Sequence, residues 1–81
     1  MVLNENEKRA MRAICDDCDD IDGYGFTRMG DMAYALLSEF GNSHVAGGYM
    51  SDLDEKGLID ICYDDNEVWV SPNVFAEYRG Y

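Results

Sequence analysis

The chain has 81 residues, enough for one packed domain and too few for two. Its 47% apolar and 12% aromatic residues exclude a disordered polar chain, and no run approaches the ~18 apolar residues of a membrane span, so no membrane contact is expected. Seventeen acidic residues stand against six basic ones, a formal net charge of −11; a nucleic-acid binder needs Lys and Arg against phosphates, so direct DNA binding is not expected.

The opening Met1-Val2-Leu3-Asn4-Glu5 carries neither the basic region nor the apolar run of a secretory signal, which sets a cytoplasmic location as the expectation. Cys15, Cys18 and Cys62 make an odd count, read as reduced thiols rather than a disulfide framework. The first helix is predicted from about Asn4 to Cys18. Asn4 and Glu7 have the spacing of a capping box, and Ala10, Met11, Ile14, Cys15 and Cys18 fall on one apolar stripe. Asp19 to Gly25 breaks the pattern, with Gly23 and Gly25 taken as turn residues.

A second helix is predicted to start at Thr27 as N-cap, with Met29, Met32, Ala33, Leu36, Leu37 and Phe40 as its apolar series. Gly41-Asn42 ends it. The third helix opens at Asn42 or Ser43 and runs to Lys56, with Ala46, Tyr49, Met50 and Leu53 inward. Gly57 stands where a left-handed residue closes a helix. Leu58–Tyr63 and Val68-Trp69-Val70, separated by Asp64-Asp65-Asn66-Glu67, read as a β-hairpin. Pro72 ends the second strand, and Asn73 to Tyr78 supplies a last helical turn.

This order, with Ala46, Met50 and Leu53 followed by Glu55-Lys56-Gly57-Leu58-Ile59, resembles the winged helix-turn-helix superfamily over about residues 5 to 71. The expected fold class is thus α+β: a three-helix core, a two-stranded wing and a short C-terminal helical turn. The resemblance implies a third helix that enters the DNA major groove and a wing that touches the backbone. The outward positions here are His44, Val45, Gly47, Gly48, Ser51, Asp52 and Glu55, with no Arg or Lys to read guanine. Asp64, Asp65 and Glu67 stand at the wing, where a DNA binder would place bases. Gly47 and Gly48 admit two readings: room for another backbone to pack, or a flat surface for a partner.

Asp16, Asp17, Asp19, Asp20 and Asp22 put five carboxylates into seven residues at the end of the first helix, where the macrodipole disfavours them. They read either as a solvated turn or as a docking surface for Lys and Arg on another protein. A calcium loop is rejected, because Cys18 and Met29 would occupy its first and twelfth positions. Cys15, Cys18, Cys62 and His44 have zinc-ligand chemistry, but Cys15 and Cys18 lie on the apolar stripe, where thiols pack as small hydrophobes; no metal or cofactor is expected. No phosphate-binding glycine loop and no nucleophile paired with His44 are evident, so no enzyme is expected.

Three functions follow. The first is an acidic protein-binding module that imitates DNA toward a basic, nucleic-acid-binding protein through Asp16, Asp17, Asp19, Asp20, Asp22, Asp52, Glu55, Asp64, Asp65 and Glu67. In size and charge alone it is similar to small phage-type inhibitors such as anti-CRISPR proteins. The second is a homodimeric winged-helix regulator reaching DNA through Lys8, Arg9, Arg12 and Arg28. The third is an interaction module of a larger complex, using Tyr63, Trp69, Phe75, Tyr78 and Tyr81.

Overall fold

A computed structural model describes residues 2–80; Met1 and Tyr81, and with them the readings placed on those two residues, lie outside the described residues. The elements run α1 (Glu5–Asp17), β1 (Asp19–Ile21), β2 (Tyr24–Arg28), α2 (Met29–Phe40), α3 (Ser43–Glu55), β3 (Asp60–Cys62), β4 (Glu67–Val70) and α4 (Pro72–Tyr78). The fold is α+β, with an antiparallel sheet in the order β1-β2-β4-β3.

The helix signals in the sequence act as expected at most ends. Glu7 N–H donates to Asn4 Oδ1 at 2.7 Å and Asn4 N–H to Glu7 Oε1 at 3.0 Å, the reciprocal capping box of α1. Gly41, at φ 70°, takes the left-handed conformation that stops α2. One residue later, Asn42 Oδ1 accepts from the amides of His44 and Val45 to start α3. Gly57, at φ 75°, closes α3 in a Schellman motif: Leu58 N–H donates to Leu53 O, and Gly57 N–H to Asp54 O.

Two expectations are corrected between α1 and α2. Asp19–Gly25 is not a simple break: it forms most of a β-hairpin whose turn, Asp22 at φ 53° and Gly23 at φ 90°, has the positive φ values of a two-residue type I′ connection. Gly25 lies in β2 opposite Val70, not in a turn. Thr27 does not cap α2 either. It is a buried β2 residue opposite Val68, and its hydroxyl donates to Asp17 Oδ2 at 2.7 Å. Arg28 is the N-cap without a side-chain bond, and the Met29 N–H instead donates to Asn66 O in the β3–β4 turn. Strand pairing with β4 thus outweighs the capping preference of Thr27.

The core gathers Ala10, Met11, Ile14 and Cys15 of α1, Met32 and Leu36 of α2, Ala46 and Leu53 of α3, Val68 and Val70 of β4, and Phe75 of α4. Truncating a fully enclosed leucine such as Leu36 or Leu53 to Ala removes about 2–5 kcal/mol of stability. Leu37, read as inward, is 39% exposed, and Tyr49 and Met50 are only half-buried. Helix α2 lies against β2 and β4, and α4 against β2 and α1, all on one side of the sheet. On the opposite side the described side chains are exposed or half-buried.

Candidate interaction surface

Alternation along β2 and β4 sorts their side chains. Gly25, Thr27, Val68 and Val70 are buried toward the helices, whereas Tyr24, Phe26 and Arg28 of β2 and Glu67 and Trp69 of β4 share the other face. The register then builds one row across all four strands: Asp19 opposite Phe26, Phe26 opposite Trp69, Trp69 opposite Asp60. Phe26 and Trp69 meet with ring centroids 4.7 Å apart, and Tyr24 meets Trp69 edge-on at 6.4 Å. Ile21 and Tyr24 extend this apolar centre and are 45% and 47% exposed.

Carboxylates rim it. Asp19 and Asp60 close the two ends of the row, and both are exposed. Asp22 stands at the β1–β2 turn and Asp64 and Asp65 at the β3–β4 turn, all exposed. Glu67 is half-buried within β4 rather than at the tip, and accepts from Trp69 Nε1 at 3.4 Å. Arg28, opposite Glu67, brings a positive charge to this face, with its guanidinium 6.0 Å from the Phe26 centroid. Asp60 was missed in the sequence; its alternation with buried Ile61 is the signal that marks it as outward.

The other sequence-derived acids are divided. Asp16 is exposed at the end of α1, Asp17 accepts from Thr27, and Asp20 lies on the helix side of its strand. There Asp20 accepts from Arg79 at 2.6 Å and from the Gly23 amide, which together hold its carboxyl below the usual value. The acidic run is therefore not one continuous surface, because a strand sends its members to opposite faces. Asp52 is a further correction: it is half-buried rather than outward, with Lys56 Nζ 3.3 Å from its Oδ2. Lys56 also donates to Glu7, so α1 and α3 are tied by one ammonium between two carboxylates. The neighbouring Asp52 carboxyl, with hydrogen bonds donated by Lys56 and the Asn4 amide, holds Glu7 down at about 2; Asp52 is raised, first by the neighbouring Glu7, and Lys56 is raised by the same Glu7 carboxylate.

On α3, His44, Val45, Gly47, Gly48, Ser51 and Glu55 are exposed, as the helical spacing predicts. A Cβ at Gly47 or Gly48 would meet nothing within 4 Å, so packing within the chain does not require either glycine. Beside them a shallow groove of about 310 Å³ runs between α2 and α3, lined by Ala33, Tyr34, Leu37, Gly47 and Met50.

Among the described residues Lys8 pairs with Glu5, Arg9 with Glu39, Lys56 with Glu7 and Arg79 with Asp20, and Arg12 is engaged as well. Cys15 is buried in the core, Cys18 and Cys62 are half-buried, and His44 is exposed on α3. Among the described residues no group of three or more His, Cys, Asp or Glu side chains could hold a metal ion. Burial, reinforced by nearby carboxylates, pushes the Cys15 and Cys18 thiols up to about 12 and raises Cys62 as well. Of the aromatics read as exposed, Phe75 and Tyr78 are buried, whereas Tyr63 is open to solvent. No helix among the described residues is long and apolar enough to cross a membrane. No protein-family model, curated protein or solved structure matches the chain.

Proposed function

We propose that this protein is a winged-helix-type module that binds another protein, and that its acidic surface engages a basic, nucleic-acid-handling partner as a DNA mimic would. In favour of the winged-helix reading is the connectivity: α2 and α3 are joined by Gly41-Asn42, a hairpin follows α3, and the last strand of that hairpin pairs with the strand preceding α2. The β3–β4 hairpin is then the wing, and β1 an addition at the opposite edge of the sheet. Three free cysteines accord with a reducing cytoplasm.

One observation carries the functional reading. Most of the cations are held by the chain's own carboxylates, while Asp19, Asp22, Asp60, Asp64 and Asp65 are exposed around one sheet face. A surface of this sign repels phosphate and attracts Lys and Arg, and it speeds association with a basic partner. The exposed side of α3 adds Glu55 and no base, in the place where a DNA-reading helix carries its donors.

The test is capture of the partner from the native host at low and high salt, beside a variant with Asp22, Asp64 and Asp65 all changed to Lys. The expected result is a basic, nucleic-acid-handling protein that is recovered at low salt, released at high salt and lost to the variant. Equal capture by the variant overturns the acidic surface as the site. Retardation of duplex DNA by the wild-type chain at low salt would instead return the protein to the DNA-binding regulators.

A further inference from the structure

The row Asp19–Phe26–Trp69–Asp60 is more selective than a field of negative charge. We propose that it reads arginine: a guanidinium of an extended, arginine-bearing segment of the partner lies on the Trp69 and Phe26 rings and pairs with Asp60 or Asp19. This rests on the preceding reading that the partner is a basic protein, and adds that Arg rather than Lys is recognised.

The sheet has a buried face of small and β-branched residues and an open face that needs no large side chain for the core. Nevertheless Ile21, Tyr24, Phe26 and Trp69 occupy that open face. Cross-strand aromatic pairs strengthen a sheet, which accounts for Phe26 against Trp69. It does not account for a carboxylate at each end of the same row, since Asp is a poor strand former and gains no ion pair from its ring neighbour.

An aromatic face flanked by carboxylates suits one cation best. Guanidinium is planar and weakly hydrated, stacks on rings, and meets a carboxylate with two parallel N–H donors. An ammonium stays strongly hydrated and binds as a point charge. Two arginines of this chain already combine a ring with a carboxylate: Arg9 lies over Phe40 at 4.8 Å and pairs with Glu39, and Arg79 lies over Phe75 at 4.3 Å and pairs with Asp20. Arg28, 6.0 Å from the Phe26 centroid, instead flanks the row and competes for that ring alone. The row spans three strand spacings, roughly 14 Å between its end Cα atoms, which gives room for side chains from an extended segment lying across it.

Trp69 is the single tryptophan, so its emission reports on the row directly. The full chain is titrated with two probe peptides of equal length and charge, one alternating Arg and Gly, the other Lys and Gly. The Arg peptide is expected to bind about tenfold tighter, equivalent to ~1.4 kcal/mol, and to change Trp69 emission. Asp60→Asn and Asp19→Asn should each weaken it by about fivefold, whereas Glu77→Gln, which removes the same charge from α4, leaves it unchanged. Phe26→Leu should remove the preference for Arg; if that variant does not fold, Asp60→Asn, checked by its melting curve, carries the test. Equal affinity for both peptides without a Trp69 response overturns the arginine platform and leaves the basic-partner reading standing. Binding of neither peptide at low salt overturns both. Stronger quenching by single-stranded DNA would show the rings to be a base-stacking surface and overturns the proposal.

Discussion

The Phe75 ring lies directly on Gly25: a Cβ at that glycine would stand 2.8 Å from Phe75 Cδ1. Gly25 is buried opposite Val70 in β2, and Phe75 is among the most completely enclosed side chains. This contact seats α4 on the sheet. Gly25→Ala should therefore destabilise the fold by about 1–3 kcal/mol, the usual cost of forcing a methyl into a filled core. Pairing it with Phe75→Leu should cost less than the sum of the two changes, because the smaller side chain makes room. Denaturant midpoints of the two single variants and the double variant check this; strict additivity would mean that the contact is not under pressure.

The same glycine shows where the sequence is hard to read. Local signals located α1, α3 and the start of the β3–β4 hairpin, because Asn4 with Glu7, Asn42, and Gly57 each satisfy backbone groups within a few residues. Asp22-Gly23 is an equally local turn signal, but aspartates are poor strand formers, and β1 is seen as a strand only through its pairing with β2. Thr27 has the chemistry of a helix cap, and only its pairing with distant β4 turns it inward. The missing bases on α3 were legible from helical spacing. The row from Asp19 to Asp60 was not, since it depends on three strand registers, and neither was the Lys56–Glu7 pair, whose members are 49 positions apart.

Gly47 and Gly48 should be replaceable at a gain in stability. Each lies within α3, where glycine is less favourable than alanine by about 0.8–1.0 kcal/mol, and a Cβ at either meets nothing within 4 Å. Gly47→Ala and Gly48→Ala are each expected to raise the melting temperature by about 4–8 °C per kcal/mol gained. A fall in melting temperature in either variant would show that the helix needs the glycine after all.

The Glu7–Lys56–Asp52 cluster should be visible in the pH dependence of stability. Glu7 falls from its ordinary 4.5 to about 2, so its contribution is complete above 4.5 and disappears as pH drops through about 2. Asp52, raised from 3.8, acts with the opposite sign: its contribution is complete below 3.8 and lost as pH rises through its folded value. Lys56, raised from 10.5, contributes fully below 10.5 and loses its share as pH climbs through its higher folded value. Denaturant midpoints across pH should show wild type losing more stability than Glu7→Gln on going from pH 4.5 toward 2. Above pH 10.5, wild type should fall relative to Lys56→Met. Parallel curves for wild type and variant would mean that the tie between α1 and α3 contributes nothing that titrates.

Cys15 should behave as a core side chain that happens to contain sulfur. It is 2% exposed, and burial pushes its thiol up to about 12, so it stays a thiol at pH 8. Alkylation needs both the thiolate and access to the sulfur. Opening of the core is thus required first, and the Cys15 labelling rate should follow the global unfolding equilibrium as denaturant is added. Cys62 lies half-buried on the exposed sheet face and needs no such opening, although its raised thiol should make it slow. Mass-resolved alkylation with iodoacetamide, in buffer and in denaturant, separates the two. Rapid native labelling of Cys15 would mean that α1 leaves the sheet-side core far more often than a fully packed Met11 and Ile14 allow.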